Sequence, residues 1–202
     1  MSAGWEPRTL VGRLVKEGQI TSIEELFSSN YRITEPEIVD YLVPNLQQEV
    51  VDIKLVQRQT DAGEKSRFKA IVAVGNGDGL VGLGIAKSTQ VVMAIERAVS
   101  RAKMNLIYVQ RGCGSWECAC GDPHSLRVTV KGRCGSVEAH LLPAPRGLGL
   151  VVGDIAKIML RLAGVSDCWL RSFGETRTPL SMAGAVYDAL KRTNYIVLPS
   201  MW

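Results

Sequence analysis

The chain is 202 residues long, 46% hydrophobic and 22% charged, which suffices for one large core or two small ones and excludes disorder as its dominant state. Its 20 glycines follow no triplet period, which excludes collagen, and no apolar run approaches the roughly 18 residues of a membrane helix. The net charge of +4 is uneven: residues 1–53 carry 4 basic and 9 acidic side chains and residues 54–202 carry 20 and 11, so an acidic front precedes a basic body suited to a polyanion.

In chain order, Leu10, Val11, Leu14 and Val15 predict a small helix stopped by Gly18. Thr21 with Glu24, and Thr34 with Glu37, read as two capping boxes, and Pro44 ends the second helix after Leu42. Alternation in Val51–Leu55 predicts a strand, Gln57–Ser66 a polar connection turning at Asp61-Ala62-Gly63, and Phe68, Ala70, Val72 and Val74 a second strand. Asn76-Gly77-Asp78-Gly79 is a hairpin signal, and Leu80–Lys87 the returning strand. A helix over Thr89–Leu106 has Val91, Ile95, Ala98, Ala102 and Leu106 as its apolar stripe, with Arg97 and Arg101 sharing another face. The first unit thus reads helix, three antiparallel strands, helix.

Ile107–Glu117 opens a Gly- and Cys-rich stretch read as the domain boundary. Leu126, Val128 and Val130 predict one strand, and Val137, Ala139 and Leu141 another, stopped by Pro143 and Pro145. Gly147-Leu148-Gly149 leads into a helix with Ile155, Ile158, Met159 and Leu162 on its apolar face, ended by Gly164. Val165–Phe173 reads as a strand, and Thr178 with Pro179 opens a last helix burying Met182, Val186 and Leu190.

Cys113, Cys118, Cys120 and His124 fall within twelve residues, a set of three thiols and one imidazole that suits a structural zinc; a loop of free thiols is the other reading. An extended chain holds Cys118 and Cys120 about 7 Å apart, so a shared ion requires a turn. An odd total of five cysteines and a start, MSAGWEPR, without an apolar leader fit a cytosolic chain better than a secreted disulfide scaffold. The glycines from Gly75 to Gly84 lie between strands, not before a helix, so they are no nucleotide loop. Gly147-x-Gly149-x3-Gly153 does precede a helix, and its amides are candidates for an RNA phosphate. With two histidines and scattered carboxylates, no catalytic constellation is visible. Basic residues recur at strand ends and loops instead: Arg111, Lys131, Arg133, Arg146, Arg171 and Arg177, a pattern suited to phosphates.

Val74–Lys87 (VGNGDGLVGLGIAK) resembles the signature hairpin of the small-subunit ribosomal protein S-five family. Asp52–Arg58 (DIKLVQR), Gly112–Cys118 (GCGSWEC), Lys131–Val151 (KGRCGSVEAHLLPAPRGLGLV) and Ala163–Trp169 (AGVSDCW) are similar to its archaeal and eukaryotic branch, whose eukaryotic member is called S-two. Trp5–Thr21 looks archaeal in type. The chain departs from the pattern at Gly77, Ala86, Ser88, Ser181 and Gly184.

The resemblance implies an α+β fold. A front extension (1–45) precedes a double-stranded-RNA-binding-like domain (46–110) and a small α/β domain with a left-handed βαβ crossover (111–202). It implies no enzyme activity and no organic cofactor, and a cytoplasmic place in the small ribosomal subunit without a membrane. Implied partners are small-subunit ribosomal RNA near the messenger entry channel and proteins of the S-four, S-eight and S-three families, the S-four contact serving decoding accuracy. A free-standing RNA-binding protein or RNA chaperone with the same fold is the alternative. RNA-facing candidates are Lys54, Gln57, Arg58, Lys65, Arg67 and Lys69 in the first hairpin, Asn76, Gly77, Asp78 and Gly79 in the second, and Lys87. Arg97, Arg101, Lys131, Arg133, Arg146 and Arg177 complete the set. The acidic front is expected to pack mainly on protein surfaces.

Overall fold

The computed structural model describes residues 5–29 and 31–195; the first four and last seven residues of the expected outer boundaries lie outside these. Three short helices come first: α1 (Leu10–Lys16), α2 (Ile23–Ser28) and α3 (Pro36–Leu42). The cap of α2 sits one residue later than the sequence suggests, with Ser22 and Glu25 forming the reciprocal box. The α3 helix has no side-chain cap; it starts with Pro36 at its first turn, and Glu35 instead accepts the amides of Arg8 and Thr9 at 2.9 and 2.7 Å. Val15, Leu26, Ile38 and Val39 join the core beneath the next helix, so the acidic front is a cover over the first domain.

A four-stranded antiparallel sheet runs β1 (Gln47–Thr60), β2 (Gly63–Gly75), β3 (Leu80–Ser88) and β4 (Leu106–Tyr108), with α4 (Val91–Met104) between β3 and β4. Residues 57–60 and 63–66 are thus strand and not a polar connection, with the pairing continuing to Thr60↔Gly63 and the turn at Asp61-Ala62 as expected. The ladder out there is supported by side chains, with Gln57 and Gln59 donating to Glu64 at 3.0 and 2.8 Å. Ile107 and Tyr108 close the first sheet, so the expected boundary region begins inside the first domain.

In the middle of β2, alternation gives way to a continuous apolar run because both faces are covered. Ala70, Val72 and Val74 lie against α4, which buries Ala94, Ala98 and Ala102. Ile71 and Ala73 point the other way, into a core shared with the second half of the chain. That half has a sheet in the order β7 (Val130–Cys134), β8 (Val137–Pro143), β10 (Cys168–Phe173), β9 (Leu150–Val151). The β9 and β10 strands are parallel and joined through α5 (Asp154–Leu162), and α6 (Pro179–Arg192) lies over β7 and β8. The strand expected over 126–130 is split: β6 (Ser125–Leu126) pairs with β5 (Arg111–Gly112), and Val130 starts β7.

Both halves use one packing device. A Cβ on Gly84 of β3 would collide with the carbonyl oxygen of Ala98, and a Cβ on Gly132 of β7 with that of Ala185, so helix backbone rests directly on strand backbone. Overpacking such a contact costs typically about 1–3 kcal/mol. Gly84→Ala therefore lowers the Tm of the chain by several degrees in thermal melts. The same substitution at Gly153, where no atom lies within 4 Å and φ is −67°, meets no such collision and leaves α4 in place.

Candidate nucleic-acid interface and metal centre

Beyond the covered part of the sheet, one face of the first hairpin is basic. Lys54 of β1 is paired with Lys69 of β2, and Lys69 with Lys87 of β3, so three lysines stand in one row across three strands. Val56↔Arg67 and Arg58↔Lys65 follow on the same face, because side chains alternate along each strand. Burial first, then the charges of Lys87 and Lys54, lower the Lys69 pKa below its ordinary value. Like charges directly opposite one another destabilise a sheet; Asp52, 3.7 Å from Lys54, offsets this at one end of the row. Gln57 lies on the opposite face, its amide donating to Glu64 and Ser66 at 3.0 and 3.2 Å.

The second hairpin is placed differently from the first. The amides of Gly77 and Gly79 donate to Leu162 and Ala163 at 2.9 and 3.0 Å, and Gly79 is buried. Asn76 caps the turn through its side-chain oxygen, and Asp78 pairs with Arg111. This turn fastens the first sheet to the end of α5; only Gly77 and Asp78 remain exposed. On α4, Arg97 is exposed, whereas Arg101 donates to the carbonyl of Ile85 at 2.6 Å. Lys131 and Arg171 flank His140 in one row on the outer face of the second sheet, and Arg133 reaches Glu138 at 3.5 Å. Arg177 is exposed, and Arg146 is exposed and paired with Asp122 at 2.7 Å.

Cys113, Cys118, Cys120 and His124 do converge. Residues 113–124 form the loop of the β5/β6 ribbon, so pairing of Gly112 with Ser125 brings Cys113 and His124 together. Cys118 donates its amide to Ser115 in the turn that carries Trp116, which is 93% exposed. The required bend is present: the sulfurs of Cys118 and Cys120 are 3.4 Å apart, and His124 Nε2 lies 3.9 Å from the Cys118 sulfur. All four ligand atoms lie within 4.8 Å of one another. Zn–S bonds of about 2.3 Å place tetrahedral sulfurs roughly 3.8 Å apart, so the set fits one ion with a small adjustment. Backbone amides of Arg146 and Cys120 lower the Cys118 thiol to about 6, and the contact with the His124 ring lowers that of Cys113. Burial pushes the remote Cys168 thiol up to about 12, which leaves it inert.

The residue that sequence reading missed is Asp167. It is buried, 2.8 Å from His124 Nδ1, and its other carboxylate oxygen accepts the amides of Gly147 and Gly149 at 3.1 and 2.7 Å. Those amides, candidates for an RNA phosphate from sequence, thus already hold an internal anion. A donor hydrogen on Nδ1 toward Asp167 leaves Nε2 as a lone pair facing the thiols. No spacing rule links residues 124 and 167; only the fold does.

The comparisons with known proteins match both halves. Residues 46–110 match the model for ribosomal protein S5, N-terminal domain, and residues 132–197 that for ribosomal protein S5, C-terminal domain. The chain belongs to the ribosomal protein S5 family. Relatives named small ribosomal subunit protein uS5 come from Pyrobaculum arsenaticum (61% identical, covering 95% of each chain) and Thermofilum pendens (56%, covering all of both). That of Aeropyrum pernix is 58% identical over 98% of this chain and 91% of its own. The Cys/His loop falls between the two S5 spans, and the acidic front precedes them. No helix among the described residues is long and apolar enough to cross a membrane.

The lysine row makes a test possible without any ligand. Lys69 gives up its proton more readily folded than unfolded, so the unfolded state binds more protons and stability rises with pH up to the unfolded value near 10.5. Lys87→Ala removes one like-charged neighbour. Urea unfolding near pH 7 is expected to show a gain of roughly 0.2–1 kcal/mol, together with a weaker alkaline rise. A loss of stability instead would show that the row is not repulsive.

Proposed function

We propose that this chain is a structural, non-catalytic constituent of the small ribosomal subunit that binds ribosomal RNA. The observation that carries the reading is the row Lys54–Lys69–Lys87 continued by Arg58, Lys65 and Arg67 on one face of the first hairpin, in a chain of the S5 family. Three like charges in adjacent strands repel, Asp52 answers only Lys54, and phosphates would neutralise the rest. A flat basic face without paired base-reading side chains recognises RNA through shape and backbone.

In its finer part, the proposal places the chain in the cytoplasm, near the messenger entry channel, where it touches the S-four, S-eight and S-three family proteins and supports decoding accuracy through the first. The acidic front is a protein-facing cover, since three of its helices bury apolar residues against the first domain and Lys103 reaches Asp40 at 2.6 Å. The units 1–45, 46–110 and 111–202 are its working parts. The Cys113/Cys118/Cys120/His124 loop holds one structural zinc, four protein ligands leaving no open position for a reacting water.

Two experiments test this. Each neutralised phosphate adds roughly 0.7–0.9 to the slope of log affinity against log salt. The double substitution Arg67→Ala and Lys69→Ala therefore weakens binding to ribosomal RNA fragments and flattens that slope by somewhat under two units, while discrimination between sequences of one shape stays as it was. An unchanged slope would remove the hairpin from the interface. Elemental analysis of the purified chain under reducing, chelator-free conditions is expected to give about one zinc per chain; its absence would refute the metal assignment.

A further inference from the structure

The polar groups of the second half gather on Asp167 from two sides. One carboxylate oxygen meets His124, whose ring is 9% exposed, and the other binds the backbone of Gly147 and Gly149. The backbone ties repeat the link: the amides of Ser166 and Asp167 both donate to the carbonyl of His124. The loop Pro145–Gly149 is held again on its other flank. The Arg146 amide donates to the Cys118 sulfur, and the Arg146 guanidinium pairs with Asp122, two residues before His124. The side-chain holds on this loop thus come from the Cys/His loop and the carboxylate behind it, while the Cys168 amide donates to the Gly149 carbonyl at 3.3 Å from β10.

We propose that Asp167 is a positioning residue that couples the metal centre to the Arg146 loop, so that bound zinc orders residues 145–149 and holds Arg146 ready for an RNA phosphate to replace Asp122. The proposal rests on the zinc reading above. A histidine that ligates through Nε2 needs its Nδ1–H oriented, and a carboxylate there also raises the ring's basicity. Without the ion, neighbouring thiolates repel, the Cys/His loop opens, and Asp167 and the Cys118 sulfur lose their fixed positions. The amides of Gly147, Gly149 and Arg146 lose their partners with them. Coupling is reciprocal, so whatever fixes the loop also tightens the metal.

The test uses the full-length chain with zinc alone as the probe. Hydrogen exchange over residues 143–151 is compared before and after chelation, with β2 and β3 as internal reference. Zinc removal is expected to speed exchange in this segment at least tenfold and to leave β2 and β3 unchanged. Zinc affinity by chelator competition is expected to fall about 10–100-fold in Asp167→Asn, and in larger measure for Asp167→Ala than for Asp167→Asn. If the Asp167 variants do not fold, the wild-type exchange measurement decides alone. A wild-type chain that binds no zinc overturns the metal reading and this proposal together. Zinc that binds while exchange in 143–151 stays unmoved by chelation, or binds Asp167→Asn at full affinity, overturns the coupling only.

Discussion

Burial of both faces of β2 and β3 is the constraint on which the rest of the structure depends. One face needs α4 within backbone contact, which Gly84 and the small residues Ala94, Ala98 and Ala102 permit. The other face needs a second half of the chain, whose α5 and α6 bury Ile71, Ala73, Val81 and Leu83 in their own core. The first sheet is therefore not a free-standing module here. Removing either cover would expose a run of apolar residues as long as a whole strand. The Asn76–Gly79 turn belongs to this seam, with its amides bound to the last carbonyls of α5.

Much of this was readable from sequence, and the misses have physical reasons. Spacing alone located α5, α6 and β8, because Met159, Leu162, Met182, Val186 and Leu190 repeat at helical intervals and Val137, Ala139 and Leu141 alternate. The Gln57–Ser66 stretch misled because a two-stranded ribbon exposed on both faces carries no hydrophobic alternation, and its pairing shows only in cross-strand partners such as Gln57 and Glu64. The stripe of α4 was half right: Ala94, not Val91, is buried, since a helix lying on glycines selects small residues over large ones. The four ligand residues were legible as a cluster from their crowding. Asp167 was not, because 43 residues separate it from His124 and the contact exists only after α5 has returned the chain.

The two candidate surfaces are built on opposite principles. The basic row gathers like charges on a rigid ladder, with only Lys54 of its three lysines near a carboxylate, 3.7 Å from Asp52, and is poised for an external counter-ion. The Cys/His loop is compensated internally, with His124 answered by Asp167 and Asp122 by Arg146, and its exposed large hydrophobic side chain is Trp116. It also lies between the two matched spans.

The β1/β2 hairpin has a mechanical consequence. Its outer half is polar on both faces, so burial does not set its register there, and a slip of one residue would turn every side chain of the sliding strand to the other side. Register must be inherited from the buried root, where Ala70–Val74 is locked between two covers and the irregularity between Val50 and Asp52 sets the phase of β1. Arg67 lies four residues beyond Ile71, roughly 13 Å at strand rise. The orientation of the charged surface is thus decided at a distance, by apolar packing that never meets the phosphates, and a change in that packing would be felt as a rotation of the charged face.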